Sequence, residues 1–131
     1  RTFPGAEEIP KAILFLRHPM DALPEYFNRI HASEQNVPYD VDKLPLAPLK
    51  AWKEWRDQAF SRELETWRKH MEYWLDRYSD GFSRLVVAYE QFLSEDLGPQ
   101  LSLQIAEFLS RSEGVDVIAA QDVPCVWKII V

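Results

Sequence analysis

The sequence predicts an α/β fold: part of a parallel sheet, with two strands recognisable, flanked by several helices. Three observations predict it. The runs Lys11-Ala-Ile-Leu-Phe-Leu16 and Arg84-Leu-Val-Val-Ala-Tyr-Glu90 are short, continuously apolar and bounded by charge. Such runs lack the alternation of a half-solvated strand and match strands covered on both faces. Longer stretches with apolar residues at steps of three to five lie between and after them, as on one face of a helix. Strands alternating with helices imply crossover connections and therefore parallel pairing.

Taken in order, residues 1–10 are a polar, proline-containing entry, and 11–16 form the first strand. Pro19 suits the first turn of a helix, and Asp21 places a carboxylate where the helix dipole favours it, which predicts a helix over 19–32. Residues 33–48 hold three prolines and several turn formers and predict a long surface loop of a kind that often carries function. Trp52, Trp55, Phe60, Leu64, Trp67, Met71, Trp74 and Tyr78 then recur at helical spacing. They predict a short helix and a long one, with a break near 58–61 and a left-handed Gly81 cap after Ser79-Asp80. The second strand covers 84–90. A turn at 94–99 leads to a helix with Leu101, Leu103, Ile105, Ala106, Phe108 and Leu109 on its apolar face, closed by Gly114. Asp122-Val-Pro124 reads as the cap and first turn of a last helix containing Trp127, although Ile129-Ile-Val131 also fits a strand. The expected order is β-α-α-α-β-α-α.

Composition bounds the function. The chain has 131 residues, enough for one domain with a real core. It carries 15 Lys and Arg against 21 Asp and Glu, a net charge of −6, which disfavours sequence-independent nucleic-acid binding because that needs a positive field. No apolar run approaches the ~20 residues of a membrane span. With Cys125 alone there is no internal disulfide and no cysteine-based metal site, and Cys125 itself reads as a buried small hydrophobe. No set of His and carboxylates has metal-ligand spacing. The chain opens on Arg1 rather than Met, and the expectation is a piece cut from something longer.

The sharpest chemical feature is the end of the first strand, LFLRHPMDALPEYFN. Parallel α/β sheets bind ligands at the carboxyl ends of their strands. Arg17 brings a planar, permanently charged fork there, and the helix opening at Pro19 brings unpaired amides and a positive dipole end. On spacing alone two readings stay open: a phosphate clamp, or a structural ion pair of Arg17 with Asp21 or Glu25.

This stretch resembles the 3′-phosphate-binding segment of sulfotransferases that use PAPS (3′-phosphoadenosine 5′-phosphosulfate), whose pattern runs R-N-P-x-D-x-x-x-S-Y. Arg17, Pro19, Asp21 and Tyr26 match in register, while His18 replaces Asn and Glu25 replaces Ser. Trp67-Arg-Lys-His70-Met-Glu-Tyr-Trp74-Leu75 resembles the W-x-x-H-x-x-x-W helix of cytosolic sulfotransferases and of the sulfotransferase domains of WSC-domain proteins, leaning toward the latter. Tyr89-Glu90-Gln91-Phe92-Leu93 and the strand before it resemble V-x-Y-E-D-L, with Gln91 in place of Asp. The three segments keep the family's order and spacing over roughly residues 1–115.

The resemblance implies a P-loop-type sheet and transfer of a sulfonate from PAPS to a hydroxyl on a carbohydrate or small molecule, without a metal. It implies a nucleotide role for Arg17 and for the position of Glu25, where a carboxylate would repel phosphate unless turned away or paired, for instance with Arg29. It implies an acceptor-pocket role for His70, whose plain alternative is a helix histidine facing solvent or a backbone carbonyl. His31, late in its helix, reads as structural; His18 reads as a helix cap or a phosphate contact, with the plain structural role favoured. The family's basic histidine lies in a K-T-H-x-P segment, where this chain has Arg1-Thr-Phe3-Pro4; Phe cannot take a proton, so no catalytic residue is assigned. The family's 5′-phosphosulfate loop and its late Arg-Lys-Gly-type loop have no counterpart in 1–131, so the expectation is half a nucleotide site and weak or absent catalysis by this segment alone. A Golgi protein with a lumenal domain and a cytoplasmic protein both remain open. Phe3 and Glu25 support an alternative, a degenerate sulfotransferase-like domain that binds or scaffolds. A third reading, a small-molecule kinase, is disfavoured by the W-x-x-H helix, and a histidine phosphatase by Pro19 after Arg17-His18, where that motif needs Gly.

Overall fold

A computed structural model of the chain describes residues 9–37 and 45–131. Phe3 and the middle of the expected 33–48 loop lie outside the described residues. The described chain is mixed α/β, with a two-stranded parallel sheet and five helices: β1 (Ala12–Leu16), α1 (Pro19–Glu34), α2 (Leu49–Arg77), β2 (Arg84–Ala88), α3 (Tyr89–Phe92), α4 (Gly98–Ser110) and α5 (Val123–Ile130). It divides into two compact units, one formed by Arg1–Arg17 with Trp74–Val131, the other by His18–Tyr73.

In the first unit β1 and β2 pair in parallel from Ala12 with Arg84 to Leu16 with Ala88. The strands are less covered than continuous apolar runs predict: Val87 is fully buried, but Phe15 is 48% and Val86 41% exposed. Each strand has a single neighbour among the described residues, so one edge of each stays unpaired. β2 also stops short of the expected Glu90, because Tyr89 and Glu90 turn into the single-turn helix α3. α4 packs against α3, α5 and β2. Phe108, Val123 and Trp127 are buried in this core. Burying a side chain of that size contributes about 1.5–3 kcal/mol each.

α5 is a helix and not a strand. Val123 and Trp127 lie one turn apart and face inward. Cys125, two residues from either, falls on the opposite side and is exposed, which corrects its reading as a buried hydrophobe. Asp122 precedes α5 but makes no side-chain cap.

The connection from α2 into β2 is built differently from the expected glycine cap. α2 ends at Arg77, and Gly81 is not in the left-handed region; among the described glycines only Gly114 is, with φ 75°. The turn is held by the Asp80 carboxylate, which accepts from the Phe82 amide at 2.9 Å and the Ser83 amide at 2.7 Å. Those bonds, Ser83 first, pull the Asp80 carboxyl below its ordinary range. Arg84, the first residue of β2, donates from Nη1 to the carbonyls of Leu75 (2.6 Å) and Tyr78 (2.8 Å), satisfying acceptors a helix end leaves free. Buried Tyr78 donates to the Ile9 carbonyl at 3.0 Å, and Lys11 donates to the Arg111 carbonyl at 3.0 Å, tying the approach to β1 into the same core.

In the second unit Pro19 starts α1 as expected, and His18 caps it: the His18 Nδ1 accepts from the Met20 amide at 3.2 Å. α1 runs past the expected Ala32 to Glu34. It closes in a Schellman arrangement, with Asn36 left-handed at φ 54°, its amide on the Ser33 carbonyl and the Val37 amide on the Ala32 carbonyl. Leu23 and Phe27, one turn apart, share a buried face, and Ala32 near the end is buried as well. Phe27 stacks on Trp55 of α2 at 4.9 Å and lies 5.7 Å from Trp52. His31 packs on Phe27 at 5.9 Å, in keeping with its structural reading. The expected break near 58–61 is absent, and α2 runs unbroken from Leu49 to Arg77. Gln58-Ala-Phe-Ser61 contains neither Gly nor Pro, so nothing there removes a helical hydrogen bond, and buried Ala59 is the strongest helix former. On its solvent side Arg68 joins Glu65 (2.7 Å) and Glu72, and the Arg68 guanidinium lowers the Glu65 carboxyl to about 2.

Candidate functional site

The two strands end in register. Leu16 closes β1 opposite Ala88, which closes β2. Parallel pairing therefore brings the next residue of each strand, Arg17 and Tyr89, out together at the carboxyl end of the sheet. The guanidinium carbon of Arg17 lies over the Tyr89 ring, 5.2 Å from its centroid. Arg17 is half-buried, and Tyr89 is 36% exposed. A guanidinium over an aromatic face keeps the cation against the negative π cloud, while its N–H donors lie in the guanidinium plane and point outward from its edge. Arginine forks onto an oxyanion through such in-plane donors.

Tyr89 is held where it is from behind. Ala88 keeps extended backbone (φ −78°, ψ 123°) and the chain then turns at once into α3, closed by the Leu93 amide on the Tyr89 carbonyl at 3.1 Å. Phe92 of α3 meets Phe15 of β1 edge-on, with ring centroids 5.4 Å apart and planes at 84°. Its carbonyl accepts from the Trp127 indole Nε1 at 2.8 Å. Gly98, the first residue of α4, is buried against both: a Cβ there would overlap the Phe92 carbonyl oxygen and the six-membered ring of Trp127. Glycine is required by close approach rather than by backbone angle.

Arg17 belongs to the first unit and Glu25 and His70 to the second, so the sequence-predicted site residues are divided between the two. Glu25 is half-buried on α1, and Asp21 in the first turn of that helix is exposed. His70 is exposed on α2, off the stripe of half-buried Trp67, Met71 and Trp74. Tyr26, which matches the motif, is 46% exposed. In the sequence Tyr89 stands in the third motif with no role of its own. The signal that could have found it is register: two apolar runs that pair in parallel put the residues just past their ends together.

Among the described residues no group of three or more His, Cys, Asp and Glu is placed to hold a metal ion, and no helix is long and apolar enough to cross a membrane. Comparison with family models, curated proteins and solved structures gives no significant match for this chain.

Proposed function

We propose that the chain belongs to a sulfotransferase of P-loop type that moves a sulfonate from PAPS to a hydroxyl acceptor, and that this segment supplies the 3′-phosphate site. The observation that carries the proposal is Arg17, the residue after β1 at the carboxyl end of a parallel pair, with its guanidinium over Tyr89. Three motif resemblances in the family's order give that arginine a specific partner. Of the polar parts of PAPS, the 3′-phosphate is the one that the motif resemblance pairs with Arg17. Selecting a 3′-phosphorylated nucleotide over ATP is the chemistry such a clamp performs. The hydroxyl acceptor supplies the nucleophile, and His70 is the acceptor-side candidate. No base is assigned, because Phe3 stands where the resemblance expects histidine.

The test is calorimetric titration of PAP, the desulfonated product nucleotide, into the protein and its Arg17→Ala variant. Losing one charged hydrogen-bonding group should weaken binding by about 1.5–3 kcal/mol, roughly 10- to 150-fold. Equal PAP affinity in both proteins refutes the clamp. Phe3 and Glu25 favour a second reading, a sulfotransferase-like domain that binds nucleotide without chemistry. Transfer of labelled sulfonate from PAPS to any hydroxyl acceptor by the protein that carries this chain decides against it.

A further inference from the structure

We propose that the crevice lined by α4, α5 and residues 116–118 between them binds a small amphipathic amine, an apolar body that carries one protonated nitrogen. The crevice lies wholly within the first unit, and the inference stands apart from the phosphate reading of Arg17.

The crevice has a volume of about 300 Å³, at the small end of the range for small-molecule pockets. Its walls are mostly apolar. α4 contributes Ile105 and Ala106, α5 contributes Val126 and buried Trp127, and the connecting segment contributes Val117 and Ile118. Val117 is 40% and Ile118 48% exposed, so an apolar group seated there would cover surface that now faces water. The polar atoms choose the head of the ligand. The Trp127 indole N–H is given to the Phe92 carbonyl at 2.8 Å, and the Ser102 hydroxyl donates to the Gly98 carbonyl at 2.9 Å. Neither donor is left for a ligand, whereas the Ser102 oxygen still accepts. Asp116 is exposed, and it is the one charged residue among the described residues that line the crevice. Its carboxylate accepts and does not donate. An anion would meet a like charge and no free side-chain donor. An alcohol would offer a single donor, while an ammonium brings three donors and the complementary charge.

The test uses molecules that share one ring and differ in the head: cyclohexylmethylamine, cyclohexylmethanol and cyclohexanecarboxylate. Each is titrated into the intact protein and followed by NMR. The amine should bind saturably, with shifts centred on Ile105, Val117 and Val126. The alcohol should bind about 2- to 5-fold more weakly, as expected for one exposed ion pair, and the carboxylate more weakly still. This comparison needs no variant. Asp116→Asn, at an exposed position, should remove the advantage of the amine over the alcohol, and Ile118→Ser should weaken both alike; thermal melting checks that each variant is folded. No saturable shift at these residues, equal affinity for the three heads, an amine preference that survives Asp116→Asn, or binding unmoved by Ile118→Ser overturns the proposal. So does loss of amine binding as protein concentration rises while the same signals broaden, which assigns the crevice to a second copy of the chain.

Discussion

Gly98→Ala is the substitution whose cost the structure states most directly. A methyl group at residue 98 would occupy the space of the Phe92 carbonyl oxygen and of the Trp127 ring. Neither is the free end of a flexible chain; one is backbone and the other is buried. Overpacking of that kind costs about 1–3 kcal/mol. If Trp127 moves aside instead, the 2.8 Å indole bond to Phe92 is lost, a further cost of about 0.5–1.5 kcal/mol. Replacing glycine in a helix returns at most about 1 kcal/mol. The net is a destabilisation of about 1–3 kcal/mol, which for a chain of this size lowers Tm by roughly 4–12 °C. Thermal and urea unfolding followed by circular dichroism measure it. In a Trp127→Leu background the penalty should shrink without vanishing, because the Phe92 carbonyl remains in the way. A Gly98→Ala protein that melts within a degree or two of the wild type would refute the close approach.

Phe27→Ala should cost about 3–4 kcal/mol, since Phe27 is buried and stacks on Trp55, and urea unfolding will read it. Asp80 gives a pH-dependent prediction. Its carboxyl titrates below the ordinary range in the folded chain, so its contribution to stability is present above the unfolded value of about 3.9 and is lost as pH falls through the folded one. Asp80→Ala should therefore unfold at lower urea than the wild type at neutral pH, and the gap should close in acid; a gap that is constant with pH contradicts the carboxylate cap. The Glu65 carboxyl should titrate near 2 by NMR and move up toward the ordinary glutamate value in Arg68→Ala, because Arg68 is the main cause of its shift.

Much of the fold was legible because its signals are local. The runs at 11–16 and 84–90 are apolar between charged ends, and Ala12–Leu16 and Arg84–Ala88 within them form strands. Pro19 and Pro124 open helices at the positions where a missing amide does no harm. The structure departs from the sequence expectation where a local signal has two solutions. Ser79-Asp80-Gly81 can end a helix through glycine or through aspartate, and the aspartate was used, with Arg84 reaching back over the helix end. The expected break near 58–61 falls between Trp55 and Phe60, yet both rings serve one aromatic cluster on an unbroken helix, 6.1 Å apart. Tyr89 and Glu90 continue an apolar run, and only the tertiary contact of Phe92 with Phe15 and Trp127 shows why the chain coils there instead. Arg17 was found from its sequence position, whereas its aromatic partner lies 72 residues away and needed the strand register.

That register has a consequence for how such a site is built. A parallel pair delivers two chain ends to the same place with the same direction, so a functional group past one strand finds a supporting group past the other without any special loop. Here the supporting residue is not left to the loop's own stiffness. Gly98 lets α4 approach closely, Trp127 locks the Phe92 carbonyl, Phe92 packs on Phe15 of the strand that carries Arg17, and Tyr89 is one helical turn from Phe92. A core substitution that leaves the unit folded but frees α3 should loosen Arg17 while touching no atom near it. Gly98→Ala at temperatures below its transition is that substitution, and the Arg17 Nε–H order decides: a drop shows that core packing helps to hold Arg17, and an unchanged value refutes it.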